Sequence, residues 1–193
     1  MDAFDHTFPI ETERLTLRLW RDEDREPFAA MSADERVMEF LTPLPTRADS
    51  DGYIDRLMAH QEQHGFTFWV MEERATGAFV GFTGLRYVPF EDHFTPAIEF
   101  GWRMPVVYWG KGLVTEAALA CRDYGFNTLK LPEIVAFASE RNERSQAVMQ
   151  RIGLTNNPAE NFYFHALPRD HHAQPLILYR IKNPAMTEKE IPS

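Results

Sequence analysis

The chain has a single cysteine, Cys121, so no disulfide can form within it, and such a pattern fits a reducing compartment. Long apolar runs are missing too. None approaches the roughly 18 residues a bilayer span requires, so no membrane partner is expected. Basic charge is scarce: 20 Lys+Arg stand against 29 Asp+Glu, a formal net charge of −9. That balance argues against a nucleic-acid partner, which calls for a basic footprint, and against adhesion to an anionic membrane surface. Acids occupy the opening stretch where a signal peptide would carry bases, so a cytoplasmic location is expected. Internal repeats, low-complexity segments and long linkers are absent. Two phosphate-binding motifs are lacking as well. The P-loop fails because Gly112 is followed by Leu113, and the dinucleotide fingerprint fails at Thr115, where it needs a third glycine. His165, His171 and His172 cluster without thiols or a helical His pair nearby, so no metal site is expected.

What remains is the profile of one globular domain: 193 residues, 44% hydrophobic and 25% charged. Its charge is uneven. Residues 1–102 hold 9 basic and 20 acidic side chains, while residues 103–151 hold 7 basic and 5 acidic. The middle of the chain is therefore the segment suited to an anionic ligand, and the first half would draw a cationic one.

Leu15, Leu17 and Leu19 alternate with polar residues, which predicts a half-buried strand. Asp22-Glu23-Asp24 opens a helix over Arg25–Met31. A second helix is expected from about Ala48 to His64, closed by Gly65. Phe66–Met71 and Phe79–Val88 flank the turn Arg74–Gly77 and read as a hairpin. A further strand, Ala97–Met104, leads through Pro105 into a glycine turn and a helix reaching about Tyr124, with Ala117, Ala120, Cys121 and Tyr124 as its apolar stripe. Cys121 on that stripe reads as core rather than nucleophile. Strand Ile134–Ala138, helix Asn142–Arg151 and closing strands Phe162–Phe164 and Leu176–Ile181 follow. This order predicts one mixed α/β domain over residues 1–182, with 183–193 as a loose tail. Phe66, Phe68, Trp69, Phe79 and Phe82 read as sheet core. Tyr87, Phe90 and Phe94 border a loop and are candidates for lining an acceptor pocket.

The chemistry-bearing stretch is Ala97–Glu116. Gly110 and Gly112, one residue apart between a strand and a helix, let the backbone approach a ligand closely and leave N–H groups pointing outward. The helix N-terminus adds partial positive charge, so the site suits a phosphate or pyrophosphate. A plain strand-to-helix corner would use the same glycines.

Val107-Tyr-Trp-Gly-Lys-Gly112, continued by Leu-Val-Thr-Glu-Ala, resembles the acetyl-CoA loop [Q/R]-x-x-G-x-[G/A] of the GNAT superfamily of N-acetyltransferases, in its RimJ/RimL-type branch. Both glycines match, and Val107 departs from the usual Gln or Arg. Ser139–Leu154 resembles the second CoA-contacting block of that branch, with Asn142 and Ser145 on matching positions. Glu11–Arg18 is similar to its first strand, and His165–His172 with Leu178–Arg180 to its last two. The resemblance spans about residues 10–182.

It implies a GNAT-like fold: one mixed, mostly antiparallel sheet of about seven strands, with helices on both faces. It implies acetyl-CoA as co-substrate, no metal, and direct transfer to a primary amine, either a protein N-terminus or a small molecule, by a monomer or homodimer. The backbone of Trp102, Arg103 and Met104 would pair with the pantetheine arm. The amides of Gly110, Lys111, Gly112, Leu113, Val114 and Thr115 would hold the pyrophosphate. Asn142 would reach the cofactor arm, while the side chains of Arg103, Lys111 or Arg144 would screen phosphates. Glu99, in an otherwise apolar strand, is the candidate base, unless it faces solvent or pairs with an arginine. The tyrosine many members use as the acid is replaced by Met149, which leaves Ser145 as the candidate acid or as a polar contact to CoA. Two alternatives stay open: a CoA-binding sensor or interaction module with little catalysis, and transfer of a different acyl group.

Overall fold

The computed structural model describes residues 9–186. Eight strands form one sheet: β1 (Ile10–Glu11), β2 (Leu15–Arg18), β3 (Phe68–Glu73), β4 (Phe79–Tyr87), β5 (Ile98–Arg103), β6 (Glu133–Ser139), β7 (Thr155–Asn156) and β8 (Leu176–Lys182), in the order β1-β2-β3-β4-β5-β6-β8-β7. Five α-helices accompany them: α1 (Arg25–Ser32), α2 (Glu35–Met38), α3 (Arg47–His64), α4 (Leu113–Asn127) and α5 (Glu143–Arg151).

Each named junction of the sheet is antiparallel except β5 to β6. That parallel junction is registered at one pair, Glu99 with Val135. Beyond it the facing edges of Phe100–Arg103 and Ala136–Ser139 have no ladder partner in each other. Their outer edges are fully engaged by β4 and β8. The sheet therefore parts at its centre and offers unpaired backbone polar groups there, which a ligand rich in amides can satisfy.

The two faces carry separate cores. Leu15, Leu17, Trp69, Leu85 and Phe100 pack with Ala117, Ala118 and Cys121 of α4. The alanines let that helix lie close to the strands. On its stripe the structure buries Ala118, whereas Ala120 is half-buried. Cys121 is core as expected, and burial pushes its thiol well above the ordinary range. On the opposite face Trp20, Phe28, Ile54, Leu57, Phe68 and Phe82 pack under α1 and α3. The aromatic group read as sheet core thus splits between the faces: alternation along β3 sends Phe68 and Trp69 to opposite sides, Phe82 joins Phe68, and Phe66, which precedes the strand, joins Trp69.

Helix α3 starts where the sequence supplies a capping box: the Thr46 hydroxyl accepts from the Asp49 amide, and the Asp49 carboxylate accepts from the Thr46 amide. It stops at Gly65 in the left-handed conformation. The acids of the first half are largely paired, Arg18 with Asp24 and Glu72, Arg25 with Asp55, and Arg47 with Glu26 and Asp51.

Several expectations are corrected. Phe162–Phe164 is not a strand; it makes one bridge, Phe162 to Leu176, and the edge partner of β8 is the short β7. Phe90 and Phe94 are engaged with other rings. They pack with Phe137 and Phe162 in a third cluster that fills the space between the loop and β6. Tyr87 is exposed beside His64. At the end of β8 the Asn183 amide group is buried and donates to the carbonyls of Phe126 and Leu131. The rest of the expected tail, residues 187–193, lies outside the described residues.

Candidate active site

The turn between β5 and α4 is built by two left-handed glycines, Gly110 and Gly112, each with φ of 76°. A side chain at either position would be strained by that backbone, yet would meet no atom of the chain closer than the 3.7 Å from Gly112 to Arg14. The space in front of the turn is open. No side chain caps α4, and among the described residues the amides of Gly110 to Thr115 find no acceptor in the chain. Six backbone donors at a helix N-terminus beside an open face are a fit for an anionic group such as a pyrophosphate.

The turn is pinned from behind. Arg14 donates from its guanidinium to the Lys111 carbonyl at 2.9 Å and to the Glu116 carboxylate at 2.6 Å. Glu116 also accepts from the Arg14 amide and the Thr12 hydroxyl. Those donors hold its carboxyl below the usual carboxylate range against a desolvation that would raise it. On the other side the Trp109 indole donates to the Met104 carbonyl at 3.0 Å, tying the turn to the end of β5.

Across the parted strands stands the start of α5. Asn142 caps it, its side-chain oxygen accepting from the Ser145 amide at 3.2 Å. Ser145 is half-buried in the first turn, and Met149, one turn on, is buried. The Arg144 guanidinium lies 4.0 Å from the centroid of the Trp109 ring and 3.8 Å from the carboxylate of Glu39. The Lys111 ammonium sits over Tyr108, on the exposed side of the turn.

Glu99 is 5% exposed. It stands opposite Arg86 in the β4–β5 register and forms an ion pair with it. Burial lifts its carboxyl above the ordinary carboxylate range; the Arg86 charge pulls the other way and does not cancel the effect. The Arg86 guanidinium in turn lies 4.7 Å from the Phe68 ring centroid. Of the alternatives open for Glu99, the arginine pair is present, and the paired carboxyl is buried and raised.

The Arg103 side chain does not reach toward the glycine turn. Strand alternation sends it to the α1–α3 face, where its guanidinium lies 5.3 to 5.7 Å from the ring centroids of Phe28, Tyr53 and Phe82. Phosphate screening by this side chain is therefore corrected, while its backbone remains in the Trp102–Met104 stretch beside the gap. Sequence reading missed this aromatic cage, since Phe28 and Tyr53 come from helices far away in the chain. It also missed Arg86, which only the strand register identifies, and Arg14, whose role depends on where β2 meets α4.

Residues 14–155 match the family model described as an acetyltransferase (GNAT) domain. The chain is 35% identical over 161 residues to the FsC-acetyl coenzyme A-N(2)-transacetylase of Aspergillus fumigatus, covering 80% of this chain and 67% of that protein. It is 29% identical over 146 residues to YkkB of Bacillus subtilis (strain 168), covering 75% and 84%. Among solved structures, the acetyltransferase from Agrobacterium tumefaciens str. C58 superposes with a TM-score of 0.74 at 28% identity, covering 94% of this chain and 98% of that one.

The fold and the match over residues 14–155 together define the class. The chain belongs to the GNAT acetyltransferase family and is an enzyme of that class.

Proposed function

We propose that this protein transfers the acetyl group of acetyl-CoA to the nitrogen of a primary amine held on the α1–α3 side of β5. The observation that carries the reading is the open glycine turn with six unanswered amides, set beside the single break in the sheet's ladder. When bound, CoA supplies the activated thioester. The turn Gly110–Thr115 holds its anionic end, and the unpaired edges of Trp102–Met104 and Ala136–Ser139 take the amides of its arm.

The amine lone pair attacks the carbonyl carbon, the C–N bond forms, the C–S bond breaks, and one proton must leave the nitrogen while another reaches the thiolate. Glu99 is the base for the first task, on the acceptor side of β5, where burial raises its pKa against the pull of Arg86. Ser145 is the donor for the second, since Met149 carries no proton. A backbone N–H of the Trp102–Met104 stretch is the oxyanion donor. Much of the rate is expected from placing the two reactants together. The branch motif Tyr108–Ala117 supports a RimJ/RimL-type acceptor, an amine presented at the end of a chain or on a small molecule, and the single cysteine supports a reducing, cytoplasmic site of action.

The test is release of free CoA from acetyl-CoA in the presence of a panel of primary amines. Turnover above the acceptor-free rate with at least one amine supports the reading. Tight CoA binding with no stimulated release by any amine overturns it in favour of a binding module. Faster release from succinyl-CoA or propionyl-CoA with the same amine would reassign the acyl group.

A further inference from the structure

A cavity of about 680 Å³ opens between the C-terminal end of α1, α2, the 41–46 loop and the first turn of α3. Two buried hydroxyls form part of its wall. Ser50 is 2% exposed, and its oxygen has no hydrogen-bond partner. Ser32, 7% exposed, accepts from a terminal nitrogen of Arg103 at 3.3 Å, and so has its own proton left to give. Behind them stands Arg103, 8% exposed, with no carboxylate partner among the described residues and with its Nε unsatisfied. Ring faces soften the desolvation of that cation but accept no hydrogen bond at Nε. A buried guanidinium without a counter-charge is costly, and burial holds its pKa below the ordinary value. A second positive charge, Arg86, faces the same side of the sheet and adds to the cost.

On its Ser32–Ser50 side the cavity presents two hydroxyl donors, one of them polarised by the Arg103 charge behind it, which suits an anionic group; Arg47 on the same lining is already paired with Glu26 and Asp51. The opposite rim carries Glu35 and Glu39, where an ammonium is favoured. Arg103 leaves the strand whose backbone borders the proposed thioester gap, and its guanidinium reaches the Ser32 hydroxyl of the cavity wall from behind. That is the span of a short amine with a charged end.

We propose that the acceptor is a small amine bearing a carboxylate, that the carboxylate seats on the hydroxyls of Ser32 and Ser50, and that Arg103 is the positioning residue whose charge selects it. This rests on the transferase reading above and narrows its substrate class.

The experiment compares matched acceptors differing only in the carboxylate: glycine with methylamine, β-alanine with ethylamine, 4-aminobutyrate with propylamine, and phenylalanine with phenethylamine. Turnover with acetyl-CoA is measured beside calorimetric binding to the CoA-loaded protein. In the wild-type protein the carboxylate member of at least one pair is expected to win by about 100-fold or more in kcat/KM and to bind measurably where its partner does not. Arg103→Gln should collapse that ratio toward one, with the loss falling on the acceptor KM rather than on kcat. Ser50→Ala, a smaller change that keeps the core intact, should lower the ratio by about 10-fold and serves if the arginine variant fails to fold. A carboxylate preference in binding without any acetyl transfer would uphold this inference and overturn the transferase reading. Acetyl transfer with no carboxylate preference would do the reverse. Preference for phosphoethanolamine over every carboxylate, or a preference that survives both substitutions, overturns the assignment.

Discussion

Arg86 and Glu99 face each other across β4 and β5, guanidinium against carboxylate, with Glu99 buried and Arg86 capped by the Phe68 ring. The pair sets the basicity of the one buried carboxyl on the acceptor side of the central strand. As the proposed base, Glu99 must be ionised to work, so activity should rise with pH through its raised pKa. Glu99→Gln is expected to lower kcat by about 100-fold and to remove that acid limb from the profile. Arg86→Met takes away the charge that opposes burial, so the limb should move to higher pH. A limb that stays put in Arg86→Met would mean that another group titrates.

The stability of the same pair has the opposite sign with pH. A carboxyl whose folded pKa lies above its unfolded one stabilises the fold fully at low pH and loses that contribution as pH rises through the folded value. Denaturant melts of wild type against Glu99→Gln, which mimics the neutral acid, should therefore show the two close together at low pH and the wild type losing stability relative to the variant as pH rises through that window.

Glu116 behaves the other way. Its carboxyl is held low by Thr12 and Arg14, so its contribution is present above the ordinary carboxylate pKa and disappears as pH falls through the depressed one. Glu116→Gln should cost about 1 kcal/mol near neutral pH and nothing once the wild-type carboxyl is protonated. Because Arg14 also holds the Lys111 carbonyl, the substitution should weaken acetyl-CoA binding by several-fold in calorimetry. Equal affinity in the variant would show that the turn keeps its shape without the anchor.

These side chains also mark where sequence reading succeeds. Leu15 and Leu17 alternate, and Gly65 follows a helical stretch, so β2 and the body and end of α3 follow from local patterns that the chain carries on its face, while sequence reading misses the Thr46–Asp49 capping box that starts α3. Gly110 and Gly112 are legible for the same reason. Arg103 is not, because its environment is assembled from Phe28, Tyr53 and Phe82, which converge only after α1 and α3 cross the sheet. Phe162–Phe164 misled because three aromatic residues in a row resemble a strand; the rings of Phe162 and Phe164 pack with Phe90, Phe94 and Phe137, which fixes the segment by side chains rather than by a ladder.

Arg18 and Asp24 test the acidic half of the chain. They form two hydrogen bonds of 2.8 Å in a buried setting at the mouth of α1, and Glu72 takes the remaining face of the guanidinium. Asp24 also accepts from the Arg21 amide. Asp24→Ala leaves a buried cation with half its partners and should cost about 3 kcal/mol, seen as a lower midpoint in denaturant with little change in slope. A double variant with Arg18→Met should recover part of that loss. No recovery would mean that the acid serves the amide of Arg21 more than the arginine.

Gly112 gives the most direct reading of the proposed cofactor grip. Its left-handed backbone costs any other residue about 1 kcal/mol, and its front is open to the nearest atom of Arg14 at 3.7 Å. Gly112→Ala should therefore fold with a modest loss of stability and lose acetyl-CoA affinity through a methyl group placed where a phosphate would approach. Gly112→Glu adds a negative charge at the same point. It should weaken acetyl-CoA by at least about 10-fold beyond the alanine variant, and the excess should shrink as salt is raised, since opposing charges near the surface are screened within about 8 Å at physiological ionic strength. An affinity for acetyl-CoA equal to that of the wild type in both variants would remove the turn from the binding site.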